Sequence, residues 1–315
     1  MEYKKRLTYI LSIIGALAVI YIASFVFDPE IMGTRNASYT WLDSKLAGRT
    51  VRIVIGGNER DTVEIIKKNN KWFVLHNGTE YPARQLRVED FIGILTARKP
   101  WPIRSTSATS HEKLGIGANP ATRITLYGEN STLADLLLGS EDITGQEIYI
   151  RKYGQNEVRS GENLFASYLS GSVTGWYNLR LIPESEDGKV AVDSVQRLSV
   201  YGPQTTQVFS RKNRMWTVSG LDIADPDQAS IDGYVRDVLN LEGDDFVSLV
   251  TDDPGYYENS FVLELGNGGV KTIRVSNAGE SGSRIALVDG SDYGYSIASW
   301  AAQRLFRSAR DFEKQ

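Results

Sequence analysis

The sequence predicts an α+β protein in which a single N-terminal transmembrane helix precedes two tandem α+β repeats, each an antiparallel sheet covered by amphipathic helices. Three observations lead to this prediction: an uncharged apolar run near the N-terminus, a turn-and-tryptophan pattern that occurs twice, and the same order of strand and helix periodicities in both halves. We expect a cytoplasmic stub and anchor over 1–30, a tether over 31–49, and repeats over 50–182 and 189–312.

The apolar run covers residues 7–27 and contains no charged side chain. As a helix it would be about 31 Å long, close to the ~30 Å thickness of the hydrocarbon core of a bilayer. Basic residues at 4–6 precede it and Asp28 follows it, so the positive-inside rule predicts a cytoplasmic N-terminus and a periplasmic domain anchored in the inner membrane. The predicted anchor contacts with lipid are Leu7, Ile10, Ile14, Leu17, Ile20 and Phe25.

Three other interpretations of this run stay open. A cleaved signal peptide has a shorter apolar core and a small-x-small cleavage site, and Ala23-Ser24-Phe25 fits that site poorly. A buried core helix would be unusual at this length without a polar face. The opposite orientation is also open, because the lysine and arginine asymmetry is modest.

Composition restricts the kinds of function that the chain can have. It has 315 residues and a formal net charge of −4, which disfavours a general nucleic-acid binder. There are no cysteines, which excludes disulfides, thiolate metal sites and cysteine nucleophiles. With His76 and His111 as the only histidines, a metal site would need carboxylates, and we expect no cofactor.

The internal repeat begins with a hairpin in each half. Residues 67–74 (KKNNKWFV) resemble residues 211–218 (RKNRMWTV), and both place an Asn-containing turn just ahead of a tryptophan. Trp72 and Trp216 are interpreted as core anchors rather than ligand platforms, since a pleated strand suits a buried indole.

A helix and a set of short strands follow each hairpin. Apolar residues at Val88, Phe91, Ile92 and Leu95, and at Ile231, Tyr234, Val235 and Val238, have the i, i+3, i+4, i+7 spacing of a one-sided helix. Strands and a last helix are predicted at 123–127, 133–138, 147–151 and 164–169 in the first half and at 261–265, 271–275, 284–288 and 296–301 in the second.

Several short motifs of the first half carry a family resemblance. They are the hairpin, Lys113-Leu114-Gly115-Ile116 with Pro120 ahead of strand 123–127, Leu138-Gly139, and Tyr149-Ile150-Arg151. Together they resemble the membrane-anchored bacterial family called domain of unknown function 4340. Lys113 stands where that family has a tyrosine, and the second half lacks the motifs. The resemblance implies an accessory role beside ABC exporters of the gliding-motility type, and it implies no catalytic residues.

The search for catalytic motifs finds none, and we expect the protein not to be an enzyme. There is no Walker loop and no Gly-x-Ser-x-Gly elbow, and Gly56-Gly57 follows a strand without opening a helix. Ser110-His111-Glu112 is contiguous, and neighbouring side chains point in different directions, whereas a triad is assembled in space.

An acidic cluster in the second half has two interpretations. Asp222, Asp225, Asp227 and Asp232 could ligate calcium, although the EF-hand order is absent. Alternatively, Asp225 or Asp227 caps the helix that contains Ile231.

Four aromatic residues are candidate contacts for a partner or ligand. Trp101 lies between two prolines and could dock a partner, or it could be a tucked loop residue. Trp176, Tyr177 and Tyr201 lie near the join of the repeats and could line a cleft there. The sequence thus favours a non-catalytic, membrane-anchored interaction protein with an ABC transporter or another envelope protein as partner. The alternative is a binding module for a small saccharide or peptidoglycan fragment.

Overall fold

Two antiparallel β-sheets dominate the computed structural model, which describes residues 13–19, 21, 41–57, 60–117, 122–164, 166–169, 172–183, 190–247, 251 and 253–314. The chain divides into two compact units. The first contains the described residues up to His76 together with Ala83–Trp176, and the second contains Asn77–Pro82 and the described residues from Tyr177 onward.

The first sheet has nine strands in the order β4-β3-β2-β1-β6-β7-β8-β9-β5. In chain order the elements are α1 (Lys45–Arg49), β1 (Arg52–Gly57), β2 (Arg60–Lys68), β3 (Lys71–His76), β4 (Thr79–Pro82), α2 (Gln85–Thr96), β5 (Ile103–Ser105), β6 (Thr122–Tyr127), β7 (Thr132–Glu141), β8 (Glu147–Lys152), β9 (Val158–Glu162) and α3 (Ala166–Leu169). Short 3₁₀ turns at Ala108–Ser110 and Val173–Trp176 complete it.

The second sheet has eight strands in the order β12-β11-β10-β14-β15-β16-β17-β13. Its elements are β10 (Val195–Tyr201), β11 (Thr206–Lys212), β12 (Met215–Ser219), α4 (Gln228–Leu239), β13 (Asp245–Val247), β14 (Asn259–Leu265), β15 (Val270–Val275), β16 (Arg284–Val288), β17 (Gly294–Ile297) and α5 (Ser299–Gln303). When β4 is left out, the strands of the first sheet follow one another in the same order as those of the second, with β5 in the place of β13. The two units therefore share one topology.

The hairpin turns of the two units have the same backbone geometry. Asn69 and Asn70 have φ of 48° and 62°, and Asn213 and Arg214 have φ of 52° and 66°. Two successive positive φ values are typical of the type I′ turn, whose twist matches that of the flanking strands. Each turn therefore fixes the register of the strand that carries a buried tryptophan.

A glutamine at the start of a helix ties that helix to the tryptophan strand in both units. The backbone N–H of Trp72 donates to Gln85 Oε1 at 2.7 Å, and Gln85 Nε2 donates to the Trp72 carbonyl at 2.9 Å. The backbone N–H of Trp216 likewise donates to Gln228 Oε1 at 2.6 Å, and Gln228 Nε2 donates to the Trp216 carbonyl at 3.1 Å. The side-chain amide thus donates to and accepts from the strand backbone, as a residue of a neighbouring strand would.

The helices α2 and α4 bury the faces that their periodicity predicts. Val88, Phe91, Ile92 and Leu95 are buried in the first unit. In the second unit the buried residues of α4 join one core with sheet residues such as Leu198, Phe209 and Phe261. The predicted one-sided helices are confirmed.

The predicted α+β class is wrong, because the described chain is mostly β. In the described units only the helices α2 and α4 reach 12 residues, whereas strands β1 to β17 form the two sheets. The helix predicted over 296–301 begins later than expected, since Ser296 and Ile297 belong to β17 and pair with β13 and β16.

The predicted transmembrane anchor also needs correction. Among the described residues, no helix is long and apolar enough to cross a membrane. Ile14 and Leu17 lie in helical residues 13–19 and are exposed. The anchor residues Leu7, Ile10, Ile20 and Phe25 lie outside the described residues. A single-pass inner-membrane anchor with a periplasmic domain is therefore not supported.

The predicted tether differs from the structure over its second part. Residues 41–49 fold onto the first unit, where Trp41, Leu42 and Leu46 are buried and α1 forms. Burial of these apolar side chains stabilises a folded conformation of a segment that the sequence predicted as a tether.

Candidate functional site

Trp101 is fully buried and offers no surface to a partner. Its ring centroid lies 5.2 Å from that of Trp41, and its carbonyl accepts a 2.7 Å hydrogen bond from Arg159 Nη1. A Cβ at Gly161 would lie 2.5 Å from the Trp101 ring, so this glycine provides the space that the indole fills. Trp101 is thus a tucked loop residue, the alternative that the sequence left open.

Trp176 and Tyr177 are buried as well, and each belongs to the core of its own unit. Trp176 packs edge-on against Phe91 at 5.4 Å in the first unit. Tyr177 packs against Phe246 at 4.9 Å in the second unit, where burial raises the pKa of its hydroxyl above the ordinary value. Of the four predicted contact residues only Tyr201 is exposed, so the structure does not bring them together as an accessible site.

The candidate catalytic residues Ser110 and His111 form local hydrogen bonds. Ser110 Oγ donates to Ser105 Oγ and to the Ser107 carbonyl, while His111 Nε2 lies 3.0 Å from the Asn156 carbonyl oxygen. No group of three or more acidic or histidine side chains in the described part of the chain could hold a metal ion.

The acidic cluster contains a helix cap. Asp227 accepts hydrogen bonds from the backbone N–H groups of Ala229 and Ser230, which confirms the predicted capping of α4. These bonds, led by one from the Ser230 hydroxyl, lower the pKa of the Asp227 carboxyl.

Apart from the hairpin, the motifs that carry the family resemblance meet at one place in the first unit. Ser140 N donates to the Leu114 carbonyl at 3.0 Å, and Arg151 Nε donates to the Ile116 carbonyl at 2.9 Å. A Cβ on Gly139 would lie 2.6 Å from Ile116 Cγ2 and closer still to the Leu114 oxygen. These motifs therefore hold a loop against β7 and β8, and their role is structural.

A groove opens beside these strands in the first unit. Its volume is about 610 Å³, which lies within the range of small-ligand sites. It is lined by Trp41, Leu42, Asp43, Leu46, Thr132, Leu133, Ala134, Asp135, Lys152, Tyr153 and Gln155. Because one wall is α1 and the preceding turn, the groove exists only where residues 41–49 fold back onto β7 and β8.

The lining of the groove combines one cation, Lys152, two carboxylates, Asp43 and Asp135, and an exposed ring. Lys152 Nζ donates to the Trp41 carbonyl at 3.1 Å, and burial lowers the pKa of Lys152. Arg123 forms two hydrogen bonds to Asp135, at 2.8 and 2.6 Å, which raise the pKa of the guanidinium. The same guanidinium lies 4.4 Å from the ring centroid of Tyr153, which is 59% exposed.

A second candidate site lies on the surface of the second unit. We call it the Trp300 surface and define it by Trp300, Arg304, Phe306 and Arg284. Trp300 is 60% exposed on α5, and the Arg304 guanidinium lies 5.3 Å from its ring centroid. Phe306 is 36% exposed, and the Arg284 guanidinium lies 4.4 Å from its ring. Large aromatic side chains paired with arginine are typical of protein contact sites.

Sequence reasoning missed both sites, although one left a signal. In α5 the buried residues are Ala301 and Ala302, and Leu305 just after the helix is buried as well. Trp300 therefore lies off the apolar face, and a helical projection would have placed it outside. The groove left no comparable signal, because Trp41 and Lys152 are more than a hundred residues apart in the chain.

Comparison with known proteins identifies one family. The family described as "Domain of unknown function (DUF4340)" matches residues 72–260, which is more than half of the chain. No curated protein and no solved structure matches the chain.

Proposed function

We propose that this protein, which belongs to the DUF4340 family, is a non-catalytic interaction protein that binds an acidic partner protein through the Trp300 surface. The observation that carries the proposal is the 60% exposure of Trp300 with Arg304 packed beside it. Most tryptophans in folded proteins are largely buried, and those in binding hot spots become buried only in the complex.

The energetics of the surface support binding. Covering an exposed indole removes a large apolar area from water, and the cation–π contact with Arg304 would strengthen once water is excluded. Trp300 lies on α5, whose buried Ala301 and Ala302 hold the helix backbone, so little backbone freedom is lost on docking.

The charges of the surface favour an acidic partner. Arg304 and Arg310 are exposed, while Arg307 is already paired with Asp237. The exposed guanidinium of Arg304 offers N–H donors to a carboxylate beside the Trp300 ring. A partner with carboxylates at matching positions would gain in association rate and in specificity.

The family resemblance suggests an ABC-type exporter subunit as the first partner to examine. Nothing in the fold selects that partner over another acidic protein. The proposal rests on the chemistry of the surface, and the exporter is the candidate with which the test begins.

The test places a photo-crosslinking side chain at position 300 in the full-length protein in its native cells. The matched control places it at Met215, which is 56% exposed in the same unit. We expect a discrete adduct with one protein from position 300 and none from position 215. Adducts of the same identity and yield from both positions would contradict the proposal.

Affinity measurements with the purified adduct partner complete the test. Truncation of a hot-spot tryptophan costs roughly 2 kcal/mol or more, which is about thirty-fold in Kd. We expect Trp300→Ala and Arg304→Glu to weaken binding by at least that factor and Met215→Ala to leave it unchanged. Equal affinity of wild type and Trp300→Ala would refute the role of this surface.

A further inference from the structure

We infer that the groove of the first unit binds a small saccharide that carries a carboxylate. This inference goes beyond the proposed function, since it concerns another unit and other residues. It starts from the polar groups that face the groove, the donors and acceptors they present, and the exposed ring of Tyr153.

Lys152 supplies the charge for the carboxylate. An ammonium group has three N–H donors, and the structure uses one of them for the Trp41 carbonyl at 3.1 Å. Burial, with Arg159 nearby, disfavours the charged form of Lys152. A bound carboxylate would reverse that penalty and accept a charge-assisted hydrogen bond.

The remaining polar groups suit hydroxyls. Asp43 Oδ1 accepts from the Lys45 backbone N–H at 2.9 Å, and its carboxylate can also accept from O–H donors. Asp135 is neutralised by the two bonds from Arg123, and its oxygens keep lone pairs that can accept from O–H donors. Thr132 and Gln155 are exposed in the groove, and each can both donate and accept. A ring of hydroxyls matches such a mixture, because every hydroxyl is donor and acceptor at once.

Tyr153 gives the groove a platform for a sugar ring. Its ring is 59% exposed, and the Arg123 guanidinium 4.4 Å from its centroid helps to fix its orientation. The C–H face of a pyranose is apolar and packs on an aromatic face. A ligand with this face, hydroxyls on its edge and one carboxylate is a uronic acid or another acidic sugar.

The test titrates the full-length protein with D-glucuronate, a diuronate, D-glucose and acetate, and records the melting temperature. A ligand that binds only the folded protein raises the melting temperature by mass action. We expect both uronates to raise it, glucose to raise it less and acetate to leave it unchanged. No shift with either uronate overturns the inference, and so does an equal shift with acetate, because that result would indicate a simple anion site.

Variants locate the site. Lys152→Met should lower the affinity for the uronate at least tenfold, whereas the matched Lys71→Met, at an exposed lysine of the same unit, should leave it unchanged. Lys152 also packs on Trp41, so Tyr153→Ala, at an exposed position, provides a second variant with the same expected loss. Unchanged affinity in Tyr153→Ala would overturn the inference, whatever the outcome at the Trp300 surface.

Discussion

Replacement of Gly139 by alanine should destabilise the first unit, because there is no room for a methyl group at this position. A Cβ there would lie 2.6 Å from Ile116 Cγ2 and 3.0 Å from the Gly115 carbonyl carbon, and it would overlap the Leu114 oxygen. These are atoms of a loop backbone and a fully buried side chain, which cannot rotate away as a surface side chain could.

The magnitude follows from what must move. Separating the loop from β7 by about 1 Å would break the Ser140 N–H···O=C Leu114 hydrogen bond of 3.0 Å, worth about 1 kcal/mol. Overpacking against the buried Ile116 adds about 1–3 kcal/mol. We therefore expect a loss of about 2–4 kcal/mol in the free energy of unfolding.

Urea denaturation followed by tryptophan fluorescence measures this loss. Gly93→Ala is the matched control, because Gly93 lies within α2 and a Cβ there would have nothing within 4 Å. In a helix the change to alanine should stabilise by roughly 0.5–1 kcal/mol. If Gly139→Ala unfolds at the same urea concentration as wild type, the structural role assigned to the motif is refuted.

Two further predictions concern the helix starts. Gln85→Ala and Gln228→Ala each remove two hydrogen bonds to the backbone of a tryptophan strand, so each should lower the unfolding free energy by about 1–3 kcal/mol. Calorimetry checks this, and a loss in only one variant would contradict the equivalence of the two contacts. Asp227 has a lowered pKa in the folded state, so its stabilisation is present above its unfolded pKa of about 4 and is lost as the pH falls through the folded value. Asp227→Asn keeps a capping side chain without a titrating charge. The denaturation midpoint of this variant should therefore fall less than that of wild type between about pH 5 and pH 3. If the midpoints of the two proteins fall in parallel with pH, the Asp227 carboxylate makes no such contribution.

Local periodicity predicted the parts of the fold whose pattern depends on neighbours in the chain. The buried positions of α2 and α4 recur every three to four residues, and the asparagine turns signal their hairpins directly. The strands predicted over 123–127 and 284–288 lie within β6 and β16, whose short runs of apolar and β-branched residues favour strands.

The β content escaped prediction because several strands lack alternation. The sequence of β9 is VRSGE, and its first four residues are all buried, including Arg159 and Ser160. Arg159 tolerates burial because it bonds to Glu157 and to the Trp101 carbonyl, which a local pattern cannot reveal. Its partner β5 has only 3 residues and lies more than fifty positions away. Such strands are defined by pairing rather than by composition.

The sequence could not decide whether the predicted contact residues are buried, and the reason is similar. From the sequence, Trp101 between two prolines could be a partner contact or a tucked loop residue, and the missing side chain of Gly161 on β9 opens the space that buries it. Whether a tryptophan is a core residue or a contact depends on a distant residue of the fold. Trp300 differs, since its neighbours Ala301, Ala302 and Leu305 define a buried face from which it is excluded.

The two units share a contact that holds a helix to the sheet, but they differ at the surface where binding is proposed. Both retain the glutamine contact to the tryptophan strand, but the matching aromatic positions of the last helices differ. In Ala-Ser-Tyr-Leu, Tyr168 is covered by Arg87 at 4.7 Å and contacts Phe91 at 5.6 Å. In Ala-Ser-Trp-Ala, Trp300 is 60% exposed. Tyr168 packs against Phe91 in the first unit whereas Trp300 is exposed in the second, so the proposed contact is specific to the second unit. We therefore expect Trp300→Ala to impair partner binding without affecting the groove of the first unit.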